Sequence, residues 1–69
     1  MSEFAKEFGR RVKRFRELKK LTQKELAEDA GLSVSYLSEV ENGKRSVSLI
    51  KAVNLAYVLD VPLVCLTGK

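Results

Sequence analysis

Residues Thr22–Arg45 read TQKELAEDAGLSVSYLSEVENGKR, and the spacing within them decides the fold. Thr22 is followed three residues later by Glu25, the capping-box pattern that starts a helix. Leu26 and Ala30 fall at the spacing of a buried helical face, and Ala27 is small enough for a close helix crossing. Gly31 stands where the chain must turn left-handed to end that helix. Leu32 can pack beneath the turn, and Ser33 is the next N-cap. A second helix then runs to about Glu41 with Leu37 and Val40 inward, and Asn42-Gly43 is the turn signal that stops it. Its free face carries the small or polar residues Ser33, Val34, Ser35, Ser38 and Glu39.

Outward from this pair, Phe4, Phe8, Val12, Phe15 and Leu18 recur every three or four residues. They predict a first helix over roughly Glu3 to Lys20 with an aromatic core stripe, and Arg10, Lys13, Arg14 and Glu17 on its other faces. Lys44 to Val47 is a basic loop. Ser48 caps a fourth helix whose apolar positions are Leu49, Ala52, Val53, Leu55, Ala56 and Leu59. Pro62 suits the first turn of a short fifth helix, where its missing N–H costs nothing, and Gly68 ends it. The expected fold is all-α, a compact five-helix bundle in a single domain covering residues 1–69.

At 69 residues the chain affords one modest core, and a domain of this size often gains stability from a partner subunit. The net charge is +4, unevenly distributed. Residues 1–20 carry eight basic and three acidic residues, 21–43 one and five, and 44–69 four and one. Positive segments therefore flank an acidic centre, which suits outer segments that grip phosphates and equally suits a solvated charged surface. There is no histidine, so no Ser-His-Asp or Cys-His unit is possible and an enzyme is not expected. Cys65 is the only cysteine, so neither an internal disulfide nor a thiolate metal site is expected, and no cofactor or small-molecule ligand is implied. The glycines are isolated turn residues rather than a phosphate-binding loop. The charged N-terminus is unlike a signal peptide, and the mostly apolar run Val61–Leu66 is far too short to span a bilayer. A cytoplasmic protein with no membrane partner is expected.

Two helices joined by a glycine turn, with polar residues free on the second, are how a helix-turn-helix presents side chains to the major groove of DNA. The stretch resembles the lambda-repressor-like domains, the Cro/C1-type or XRE-type helix-turn-helix family. RxxKxLTQxELA, formed by Arg16 to Ala27, fits the approach to the family motif, and VENGKR, Val40 to Arg45, fits its exit. Ser48 to Leu66 is similar to the family's last two helices, so the resemblance covers nearly the whole chain. It implies a regulator that binds double-stranded operator DNA as a homodimer. It implies phosphate contacts from Thr22 and Gln23 at a helix N-terminus, and from Asn42, Lys44 and Arg45 on the other side of the groove. Tyr36 is either partly packed or a further phosphate contact.

The resemblance also implies base contacts from Ser33, Val34, Ser35, Ser38 and Glu39. Serine hydroxyls both donate and accept, so they discriminate weakly; Val34 suits a thymine methyl and Glu39 a cytosine amino group. This helix has no arginine or glutamine for a bidentate base pair, which shifts weight to DNA shape, water or dimer spacing. Arg16 and Glu41 match a structural ion pair between the first and third helices. Val47 replaces a frequent proline and Ala52 a larger aliphatic residue, changes that loosen the start of the fourth helix. The terminal segment is too apolar to bury all of itself, and Val61, Val64, Cys65 and Leu66 are assigned to the dimer interface. Core packing is the competing use for Leu63 and Leu66. The same fold also serves as a protein-interaction module in antitoxins and coactivator-like proteins, and the acidic Glu25, Glu28 and Asp29 offer a surface for that alternative. The regulator is expected to be of the phage Cro or repressor type, or a restriction–modification controller.

Overall fold

Helix-capping side chains set most of the element boundaries in the computed structural model, which describes residues 2–68. The described residues form five helices and no strand: α1 (Glu3–Leu18), α2 (Gln23–Ala30), α3 (Val34–Glu41), α4 (Leu49–Leu59) and α5 (Val64–Thr67). The Ser2, Thr22, Ser33 and Ser48 hydroxyl oxygens accept from backbone N–H groups in the first turns of α1 to α4. At α2 the capping box is complete: Thr22 Oγ1 accepts from Glu25 N–H, and Glu25 Oε1 accepts from Thr22 N–H at 2.8 Å. Each such cap contributes about 1 kcal/mol.

Gly31 ends α2 with φ 73°, and the Leu32 N–H returns to the Ala27 carbonyl at 2.8 Å. This doubly bonded turn sets the angle between α2 and α3. The first helix stops at Leu18 rather than the expected Lys20, because Lys20 itself is left-handed at φ 60°. That conformation sends the Leu21 N–H back to the Arg16 carbonyl. Pro62 lies before α5 rather than inside it, and its carbonyl accepts from the Cys65 N–H.

The core joins Phe8 and Val12 of α1, Leu26, Ala27 and Ala30 of α2, Leu37 and Val40 of α3, Ala52, Leu55, Ala56 and Leu59 of α4, and Leu66 of α5. α1 packs on α3 and α5, while α2 packs on α3 and α4. Removing a Leu or Val side chain of this kind from water contributes about 1.5–3 kcal/mol.

The expected α1 stripe is only partly core. Phe8 and Val12 are buried and Phe15 half-buried, whereas Phe4 and Leu18 are exposed. Both lie near the ends of α1, and Phe4 stacks on Phe8. Ala5 and Gly9 take buried places that the pattern did not assign. On α4, Leu49 and Val53 also face outward, because the buried face is the strip Ala52, Leu55, Ala56 and Leu59. Val47 is half-buried against the core, and Ala52 is buried.

Leu66, assigned from sequence to a dimer surface, is 0% exposed in the single chain. Its burial in the core leaves nothing for a partner to touch, so that assignment is corrected.

Candidate nucleic-acid interface

The third helix is fixed at its C-terminal end by a charged network. Arg16 Nε donates to Glu41 Oε2 at 2.7 Å and Arg16 Nη2 donates to Glu41 Oε1 at 3.1 Å. Arg16 Nη1 donates to the Leu21 carbonyl at 2.9 Å, and Gln23 Nε2 donates to Glu41 Oε1 at 3.0 Å. The Glu41 side chain is only 2% exposed and that of Arg16 11%. The Glu41 hydrogen bond and charge raise the Arg16 pKa above its already high ordinary value, against the opposing effect of burial. The expected Arg16–Glu41 pair therefore forms and extends further, tying α1, the α1–α2 turn, the start of α2 and the end of α3 together. A bidentate, buried pair of this kind fixes orientation as well as energy.

Gln23 was expected to contact phosphate, and the structure adds a second role by placing its amide on Glu41. The bond takes one N–H and leaves the amide oxygen and a second N–H for other partners. The Thr22 hydroxyl is occupied as the cap of α2. Around both residues, the first turn of α2 offers N–H groups and the positive end of a helix dipole.

On α3, Val34, Ser35 and Glu39 are exposed and Ser38 is half-buried. Ser33 is exposed, but its hydroxyl accepts from the Tyr36 N–H at 3.0 Å. Asn42 Nδ2 donates to the Ser38 carbonyl at 2.9 Å, so Asn42 extends the end of the helix. The basic loop folds back along α3. Tyr36 Oη donates to the Ser46 carbonyl at 3.3 Å, and Arg45 Nε donates to Glu39 Oε1 at 2.8 Å. The Arg45 guanidinium carbon lies 5.3 Å from the Tyr36 ring centroid. Tyr36 is thus partly packed, held by its hydroxyl and by cation–π contact.

Three sequence-assigned residues, Tyr36, Glu39 and Arg45, converge in one cluster. Sequence reading missed its fourth member, Lys51, whose Nζ lies 4.5 Å from the Tyr36 centroid. Lys51 sits in the first turn of α4, where a cation opposes the helix dipole; that unfavourable placement was the available signal. Lys44 is exposed, and among the described residues no carboxylate lies within ion-pair distance of Lys44 or Lys51. No group of three or more His, Cys, Asp or Glu residues is placed to hold a metal among the described residues. No described helix is long and apolar enough to cross a membrane.

Two short helices set by a glycine turn, with an exposed polar face on the second and cations beside it, define a helix-turn-helix domain. A family model described as helix-turn-helix matches residues 12–64. The chain is 43% identical over 54 residues to the uncharacterized HTH-type transcriptional regulator YazB of Bacillus subtilis, covering 78% of each chain. It is 38% identical over 61 residues to the immunity repressor of Bacillus phage phi105, covering 88% of this chain and 42% of the repressor. The chain therefore spans less than half of that relative's length. The crystal structure of the restriction-modification controller protein C.AhdI from Aeromonas hydrophila superposes with a TM-score of 0.87 at 40% identity. That match covers 90% of this chain and 94% of the controller. The chain belongs to the Cro/C1-type helix-turn-helix family that its sequence resembles.

Proposed function

We propose that this chain is a sequence-specific transcription regulator that binds operator DNA as a homodimer with α3 in the major groove. The observation that carries the reading is the setting of α3. Its base is locked by Arg16, Gln23 and Glu41, its outer face is open, and cations line one flank. A helix held this rigidly can present Val34, Ser35 and Ser38 to base edges without an ordering cost at binding. Thr22, Gln23, Asn42, Lys44 and Lys51 then meet the phosphate backbone and set the register. The family relatives include a phage immunity repressor and a restriction–modification controller, and an operator-binding role of either type fits. Action on DNA in the cytoplasm follows from this role.

Dimerisation is supported by surface chemistry. Outside its buried strip, α4 exposes Leu49, Ile50, Val53 and Tyr57, with Ile50 73% and Tyr57 85% exposed. Val64 of α5 is exposed, and Val61 and Cys65 are half-buried. A helix that is apolar on both faces needs cover on both. We place the partner copy over Val61, Val64 and Cys65, with the outer row of α4 extending the surface.

Selection of bound sequences from a random duplex pool tests the reading. A two-fold-symmetric motif with half-sites about one helical turn (~34 Å) apart supports a dimeric operator binder. Weak, salt-sensitive binding without a motif contradicts it.

A further inference from the structure

The sequence leaves α3 without an arginine to read guanine, yet the loop behind α3 brings one alongside it. Arg45 Nε donates to Glu39 Oε1 at 2.8 Å, and the guanidinium lies over the Tyr36 ring. Tyr36 is itself anchored through its hydroxyl to the Ser46 carbonyl. These contacts hold the guanidinium by its Nε edge and by the ring. Among the described residues, Nη1 and Nη2 of Arg45 donate to no protein acceptor. That free end is the two-pronged donor that matches guanine O6 and N7 in the major groove.

We infer that Arg45 is a guanine-reading residue and that Glu39 is its positioning residue. This departs from the sequence expectation, which assigns Arg45 to phosphate and Glu39 to cytosine, and it rests on the DNA-binding reading of α3. A cation attracts phosphate most strongly when no carboxylate opposes it. Glu39 cancels much of the Arg45 charge and would repel a phosphate, so pairing Arg45 with it weakens the group as a backbone clamp. The adjacent Lys44 has no acidic partner among the described residues and keeps its full attraction for phosphate. What Glu39 adds is direction. It fixes a planar fork that lysine cannot imitate. Both side chains are about half exposed, at 52% and 48%, so neither is needed for the core.

The test uses the duplex that the wild-type protein selects, with its guanines replaced one at a time by 7-deazaguanine, which lacks the N7 acceptor. In each half-site one such replacement should weaken wild-type binding about ten-fold or more, and weaken R45A less than about two-fold. R45K should lose preference for that guanine while keeping its affinity for random DNA. E39Q should blunt the sensitivity at the same guanine, with melting temperatures unchanged for all three variants. The inference is overturned if no 7-deazaguanine position affects wild type. It is equally overturned if R45A weakens all sequences alike and lowers the salt slope by about one, the mark of a phosphate contact. A shift of base preference by E39Q at a different base pair would mean that Glu39 reads a base itself, and also overturns it. A wild-type protein that selects no motif removes the DNA-binding reading and this inference together. A motif indifferent to Arg45 removes only the inference.

Discussion

Gly9 of α1 lies so close to Val40 of α3 that a Cβ at residue 9 would run into the Val40 carbonyl oxygen. The same Cβ would stand 3.0 Å from the Glu41 carbonyl oxygen. Backbone therefore meets backbone at this crossing, directly beneath the end of α3. The contact sets the depth at which α3 sits and brings Glu41 within reach of Arg16.

Gly9→Ala tests that contact. Alanine favours a helix over glycine by about 1 kcal/mol, so propensity alone predicts stabilisation. Here the clash is with backbone, and overpacking costs about 1–3 kcal/mol. The clash outweighs the propensity gain by up to about 2 kcal/mol, read as a melting temperature lower by up to about 8–16 °C. An unchanged or raised melting temperature would contradict the close crossing.

Arg16→Met leaves the buried Glu41 carboxylate without its counter-charge. Losing one partner of a buried pair costs about 3–5 kcal/mol, a large share of the stability of so small a domain. Chemical denaturation measures this, and a loss below about 1 kcal/mol would show that the network is not structural. The pH dependence follows from the raised pKa of Arg16. A base whose folded pKa is raised stabilises below its unfolded pKa, and the effect fades as pH rises through the folded value. Both values lie in the strongly alkaline range, so Arg16 should add no slope to a stability profile between about pH 6 and about pH 10.

Lys44→Ala should weaken binding to all duplexes by similar factors and flatten the salt dependence by about one unit of slope, with the selected motif unchanged. Fluorescence anisotropy at several salt concentrations measures both quantities. A change of motif would move Lys44 from the backbone to the bases.

Val64→Asp places a charge on the proposed partner surface without touching the core, because Val64 is exposed. Sedimentation equilibrium should show dimer association weakened by roughly 2 kcal/mol, about thirty-fold, while circular dichroism stays unchanged. An unaltered dimer would place the interface elsewhere, with the α4 row Ile50, Val53 and Tyr57 the next surface to alter.

Local rules made α2 and α3 legible from the sequence. The Thr22–Glu25 box, Gly31 and Ser33 each act within a few residues, and each occurs as expected. The Arg16–Glu41 pair came from the family motif, since nothing local joins residues so far apart. The outward direction of Phe4, Leu18, Leu49 and Val53 was hidden because periodicity marks an apolar face, not whether another element covers it. Gly9 looked like an unremarkable helix residue because its role depends on a backbone 31 positions later. The Tyr36–Glu39–Arg45–Lys51 cluster was closed for a similar reason: it forms when the basic loop folds back on α3.

The exposed face of α3 is proposed to read base edges in the major groove of a symmetric operator. Repeating the sequence selection with Ser35→Gln tests this, because glutamine pairs bidentately with adenine and serine does not. A gain of adenine at one position in each half-site is expected, mirrored across the dyad, with the rest of the motif retained. An unchanged motif from a folded, DNA-binding Ser35→Gln variant would contradict it.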